Sequence, residues 1–263
     1  MNVPILMYHE VTPRPVPTFR KYALTPGVFA AQMRWLALAG YVPITLDDLL
    51  AGRSGQTRWP GRPVVITFDD GFQACAEHAA PILQARGFTA TFFLVAGLMG
   101  RSSEWLRARQ GLELPLMDWS RARRLEAAGF HCGAHSLSHP HLADLNPAAC
   151  RVELGESRQR LEDELGHPVH HLAYPYGSYN DTVRATAAEC GYQTACSVQI
   201  GLSKSDDDVF ALHRVPVSGL ESFVDFVFRL QGGLTMRETW RAWLPALKRR
   251  ILPGGAPASS GRL

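Results

Sequence analysis

No uninterrupted apolar run in the chain approaches the roughly 18 residues of a membrane-spanning helix, so none is expected. Charge is scarce: 19% of residues are charged, and the formal net charge is only +3. That balance is too mild to indicate nucleic acid as a partner. Cysteine is sparse and odd in number. The five cysteines, Cys75, Cys132, Cys150, Cys190 and Cys196, contain no CxxC pair. Neither a disulfide framework nor a structural zinc knuckle is expected. No internal repeat recurs at a period of about 20–50 residues. The first residues, Met1 to Glu10, carry no basic segment and no long apolar stretch. No secretory leader is expected, and the cytoplasm is the expected location. What is present is globular. A hydrophobic fraction of 46% over 263 residues excludes a disordered chain, a coiled coil and a collagen-like repeat.

Short apolar runs alternate with helical patterns. Val3–Tyr8, Tyr41–Thr45, Val64–Phe68, Thr89–Val95, Phe130–Ala134, His171–Tyr174, Gln193–Val198 and Ala211–Val217 read as strands. Residues 26–39, a short stretch from Asp47, Ala74–Arg86, Ser120–Ala128, residues 147–165, Asp181–Glu189 and Ser222–Leu230 read as helices. Gly40, Gly87, Gly129 and Gly166 close four of them. Strand–helix alternation predicts α/β architecture, as a parallel sheet or a (β/α) barrel.

Three clusters carry chemistry. Thr67-Phe68-Asp69-Asp70-Gly71 ends a buried strand with two carboxylates, where α/β folds build active sites. Adjacent strand residues face opposite ways, but a turn at Gly71 brings both carboxylates to one site. Taken alone, the pair is equally well a solvated Asp-Gly turn. In His135-Ser136-Leu137-Ser138-His139-Pro140, two histidines four apart can meet on one metal if the turn is helical. Two histidines and a carboxylate leave coordination positions open, and zinc in such a set brings the pKa of water to about 7. HxxxH by itself more often marks two surface histidines. Ala173-Tyr174-Pro175-Tyr176-Gly177 is a further strand end, whose backbone N–H groups could face an oxyanion.

In this order the three clusters resemble the motifs of the polysaccharide deacetylase family (NodB-homology domains, carbohydrate esterase family 4). Pro4-Ile5-Leu6-Met7-Tyr8-His9, Ala90-Thr91-Phe92-Phe93-Leu94 and Gly191-Tyr192 extend the resemblance over roughly residues 3–217. It implies an α/β fold, a distorted (β/α) barrel of about seven units, with residues 1–222 as the catalytic domain. It also implies metal-dependent hydrolysis of an N-acetyl group from an amino sugar in a glycan or lipid-linked glycan. Asp69 matches the catalytic base, and Asp70, His135 and His139 match the ligands of one divalent ion. Zinc is the first choice, and cobalt, nickel or iron fits the same ligands. Tyr176, after Pro175, matches the residue whose backbone N–H holds the oxyanion.

The sequence departs from the family pattern in three places. The arginine that orients the base in many members is replaced by Ala173, so another group must hold Asp69. No match to the Asp/Trp motif is found, and Asp206, Asp207 and Asp208 read as solvated charge. For the acid, Leu212-His213-Arg214 competes with Met7-Tyr8-His9. Members beginning Leu-Met-Tyr-His resemble circularly permuted versions of the domain, which favours His9. Alternative functions are an allantoinase-like cyclic-amide hydrolase, a non-catalytic carbohydrate-binding relative and a non-haem iron oxygenase. The adjacent Asp69 and Asp70 favour hydrolysis.

Residues 223–263 form a second expected unit, a basic amphipathic helix and tail. Within 237–252, Trp240, Trp243, Leu244, Leu247 and Ile251 lie on one face, with Arg237, Arg241, Lys248, Arg249 and Arg250 opposite. Such a helix packs on the barrel or lies on an anionic membrane surface.

Overall fold

The computed structural model describes residues 2–59, 61–232, 234, 235 and 238. The strands are β1 (Ile5–Tyr8), β2 (Glu10–Val11), β3 (Ala23–Leu24), β4 (Tyr41–Pro43), β5 (Arg62–Phe68), β6 (Thr91–Leu94), β7 (His131–Ala134), β8 (His171–Ala173), β9 (Thr194–Ile200) and β10 (Leu212–Pro216). The α-helices are α1 (Pro26–Leu38), α2 (Leu46–Arg53), α3 (Ala80–Gln84), α4 (Glu104–Gln110), α5 (Trp119–Ala127), α6 (Pro147–Leu165), α7 (Asp181–Glu189) and α8 (Phe223–Gly232).

Strands β5, β6, β7, β8, β9, β10 and β1 pair in parallel in that order, and β1 pairs back onto β5. The result is a closed seven-strand barrel. The closing register sets Ile5 to Tyr8 beside Val65 to Phe68 and Leu6 beside Val215. The outer strand β4 pairs with residues 62–64 of β5, below the stretch taken by β1. Closure leaves no free barrel edge.

Alternation along the strands makes two cores. Val64, Ile66 and Phe68 face the helices, where Phe68 stacks on Tyr8 at 5.4 Å and on Phe92 at 4.8 Å. Ile5, Val65, Phe93, Ala173, Cys196 and Leu212 fill the lumen with Leu46 and Leu49 of α2. The lumen is narrow. A Cβ on Gly133 would lie 2.6 Å from the Phe93 ring, so β7 needs glycine there.

The structure adds elements that the apolar pattern does not predict: α4, the β2–β3 ladder and a π-helical segment Cys75–Ala79 at the head of the Ala74–Arg86 stretch. π-segments are rare and gather at functional sites. Here the segment aims Cys75 Sγ at the carbonyl of His9, 2.9 Å away. Helix α8 packs on α1, with Phe226 buried and its ring 6.1 Å from Trp35. The basic stretch 237–252 lies outside the described residues apart from Glu238. No helix among the described residues is long and apolar enough to cross a membrane.

Candidate active site

The three motifs end β5, β7 and β8, so parallel pairing brings them to the C-terminal mouth of the barrel. The turn after β5 begins at Asp70 itself, whose φ is 74°. This left-handed residue swings its carboxylate to a different side from Asp69. Both are buried. Burial pushes each carboxyl up, but stronger attractions hold both below the ordinary range. For Asp69 these are the charge and hydrogen bonds of Arg214; for Asp70 they are His135 and His139.

The two histidines meet without a helical turn, contrary to the helical geometry expected from their spacing. Residues 135–139 form an irregular loop with left-handed Ser136 (φ 62°) and His139 (φ 66°). The loop is pinned internally where Ser136 Oγ accepts the His139 N–H at 2.9 Å. From α6, Glu153 accepts the backbone N–H groups of Leu137 and Ser138 at 3.0 and 2.9 Å, and the Ser138 hydroxyl at 2.5 Å. His139 is clamped between Trp105, stacked at 4.2 Å, and the edge of Tyr176 at 4.5 Å.

The donor atoms of Asp70, His135 and His139 lie within 4.8 Å of one another, and all three residues are buried. His135 Nε2 and His139 Nε2 stand 3.3 and 3.1 Å from Asp70 Oδ1. Nδ1 of His135 donates to the Ala173 carbonyl at 2.7 Å, which leaves Nε2 as the free lone pair. That tautomer is the one a metal-binding histidine needs. The set therefore fits a divalent ion of the zinc, iron, cobalt or nickel kind.

The family model for polysaccharide deacetylase matches residues 57–195, more than half of the chain. The chain belongs to the polysaccharide deacetylase family. Among relatives, the Bacillus subtilis protein YxkH, whose name places it with the polysaccharide deacetylases, is 26% identical over 82% of this chain and 72% of its own length. The poly-beta-1,6-N-acetyl-D-glucosamine N-deacetylase of Staphylococcus epidermidis is 24% identical over 76% of this chain and 69% of its own. Among solved structures, the Streptococcus pyogenes deacetylase PplD, in complex with acetate, shares the fold with a TM-score of 0.77. That alignment is 23% identical and covers 88% of this chain and 98% of that one.

Within this family frame, the place of the missing motif arginine is instructive. Ala173 is buried and packs in the lumen. The guanidinium comes instead from Arg214 on β10, fully buried and forked onto Asp69 with two 2.7 Å bonds. Its Nε donates to the Ser197 carbonyl at 2.7 Å, and Nη1 reaches Thr67 Oγ1 at 3.3 Å. Strand alternation sends the neighbouring His213 the other way. His213 is half-buried, with Nδ1 3.0 Å from Asp207 Oδ2. Asp207, which also accepts the Lys204 N–H at 2.9 Å, is thereby held in hydrogen bonds, and Asp208 pairs with Arg184, a correction to their reading as solvated charge.

His9, at the end of β1, has a half-buried ring 5.0 Å from Tyr22, and its buried Nδ1 has no hydrogen-bond partner among the described residues. Burial pulls its pKa below the ordinary value, while Asp70 and Asp69 pull the other way, so it belongs to the same electrostatic site. Tyr176, after buried Pro175, is left-handed at φ 57°, which turns the Pro-Tyr-Gly bend under His139. Arg214 and Glu153 were not recognisable as site residues from composition or spacing. The available signal was an arginine inside an apolar strand run, Leu212 to Val217, which needs a buried partner.

Proposed function

We propose that the chain removes the acetyl group from an N-acetylated amino sugar in a glycan or lipid-linked glycan, releasing acetate and leaving the free amine. The reaction adds water across the amide: the oxygen goes to the acetyl carbon and a proton to the departing nitrogen. The observation that carries this reading is the pairing of a buried, arginine-forked Asp69 with the adjacent Asp70, His135 and His139 set at one barrel mouth. An oxygenase ligand set has no need of that second carboxylate. The Staphylococcus relatives' names support an N-acetylglucosamine polymer as the substrate class.

In this reading Asp70, His135 and His139 hold one divalent ion, zinc first. Such an ion supplies Lewis acidity toward the acetyl carbonyl and toward water. Asp69 takes the proton from the attacking water, and Arg214 keeps it ionised and aimed. His9 returns a proton to the leaving amine. The Tyr176 backbone N–H faces the oxygen that gains charge. Acetate release from a panel of N-acetylated oligosaccharides, with and without chelator, tests this. Release abolished by chelator and restored by zinc is the expected outcome; no release from any member refutes it.

A further inference from the structure

Two tyrosines lean on opposite functional histidines, and each carries a cation over its ring. Tyr22 lies 5.0 Å from His9, with Lys21 Nζ 5.3 Å from the Tyr22 centroid. Tyr176 lies 4.5 Å from His139, with the Arg109 guanidinium 4.2 Å from the Tyr176 centroid. Both cations are exposed, and among the described residues neither has a carboxylate partner. On α4 and beside it, Glu104 is taken by Arg101 and Glu113 by Arg107, which leaves Arg109 against His141, itself stacked on Tyr176 at 4.1 Å. The segment 12–22 that carries Lys21 also holds exposed Arg14 and Arg20 and no acid. Of the nearby carboxylates, Asp69 is committed to Arg214 and Asp70 to the histidines, and Glu10, next to His9, is a buried carboxyl that burial pushes up to about 7.

A ring holds a cation in place through its face, and Arg109, bonded to His141 through Nη2 alone among the described residues, keeps its remaining N–H groups for a ligand. Unpaired cations fixed at a mouth attract an anion, and a guanidinium takes a carboxylate or phosphate in a two-point grip. We infer that Lys21 and Arg109 recognise a negatively charged group, carboxylate or phosphate, on the glycan beside the N-acetylated sugar. This rests on the deacetylase reading and narrows its substrate to an acidic glycan.

The test compares kcat/KM on three oligosaccharides of equal length: neutral N-acetylglucosamine, the same sugar alternating with glucuronic acid, and one bearing a phosphate monoester. The expected result is a preference for an acidic oligosaccharide that declines with added salt. The uronate and phosphate arms show which anion is read. Lys21→Gln and Arg109→Gln should each lower the acidic-to-neutral ratio about 1.5- to 5-fold, through KM, the worth of one exposed ion contact. Hydrolysis of all three with the same ratio in wild type and variants overturns the inference. Equilibrium binding of the same oligosaccharides separates the two readings. A protein that hydrolyses none, yet binds the acidic ones through Lys21 and Arg109, loses the hydrolysis reading and keeps this one.

Discussion

Replacing Arg214 should reverse the way stability at Asp69 responds to pH. Both partners are buried, and two 2.7 Å bonds join them. In the wild type the Asp69 carboxyl is held below its ordinary value of 3.8. Its contribution to stability is therefore complete above that value and fades only as pH falls through the lower folded one. In Arg214→Met the opposing charge is gone, and burial pushes the carboxyl above its ordinary value. The folded variant then keeps a proton that the unfolded chain releases, so the deficit shrinks as pH falls. Breaking one side of a buried pair costs about 3–5 kcal/mol, and that is the gap expected near neutral pH. Urea unfolding of both proteins between about pH 5 and pH 8 measures it. The acid limb of kcat/KM should move upward in Arg214→Lys, which keeps the charge and loses the fork. Asp69→Asn/Arg214→Met has no carboxyl to titrate, so its gap to wild type should not vary with pH on this account. A gap for Arg214→Met that is under about 1 kcal/mol, or constant with pH, refutes the reasoning.

His9→Ala should cut turnover about 10²–10⁴-fold with metal content unchanged, whereas His213→Ala should be mild; the reverse order would put the acid on β10. His139→Ala should lose metal, read by elemental analysis, and Glu153→Ala should weaken metal affinity by about 10–100-fold through the loop it pins, with Glu153→Gln milder. Both Ser136→Gly and Ser136→Ala remove the hydroxyl that accepts the His139 N–H, so their difference sets backbone strain against the extra freedom of glycine in the unfolded chain. Strain favours the glycine variant by about 1–2 kcal/mol and unfolded-chain entropy opposes it by about 0.4–1 kcal/mol, so glycine should be the more stable in thermal or urea unfolding by roughly 1 kcal/mol, and an alanine variant more stable than glycine by about 0.4–1 kcal/mol would mean that φ 62° costs nothing there.

The barrel was legible because short apolar runs alternate with helical patterns, and at β1, β5 and β7 the run ends in a histidine or a carboxylate that marks the functional end. The placement of Asp69, Asp70 and His135 at one mouth was legible for the same reason: they follow strands directly, and parallel pairing does the rest, with His139 brought in by the loop after β7. Geometry within the loops was not. The HxxxH spacing suggested a helical turn, yet the loop is set by Glu153 from α6, and nothing local encodes that reach. Arg214 was harder still. It meets Asp69 across 145 residues of sequence, and its side of the strand depends on the β10 register against β1 and β9. A single-residue slip would have put His213 in the lumen and Arg214 outside. The Cys75–Ala79 π-segment and the β2–β3 ladder left no periodic trace because each is too short to establish a period.

Backbone strain marks the same site independently of any motif. Among the described residues, four non-glycine positions have a positive φ: Asp70, Ser136, His139 and Tyr176. All four sit in the three loops at the barrel mouth. Left-handed backbone is uncommon for any residue with a Cβ, and each instance costs on the order of 1–3 kcal/mol. A barrel needs none of them to close, since glycine would make the same turns at less cost, as it does after α6 at Gly166 (φ 79°). What glycine lacks is the side chain. In the proposed site Asp70 and His139 turn the chain and present a donor atom at once. Tyr176 must bend under His139 and hold a ring against it. Ser136 must accept the N–H of the residue that follows three places on. Each position joins a sharp turn to a required side chain. The strain is what these side-chain placements demand of the loops, and its confinement to this mouth is an argument for chemistry there that does not depend on the family.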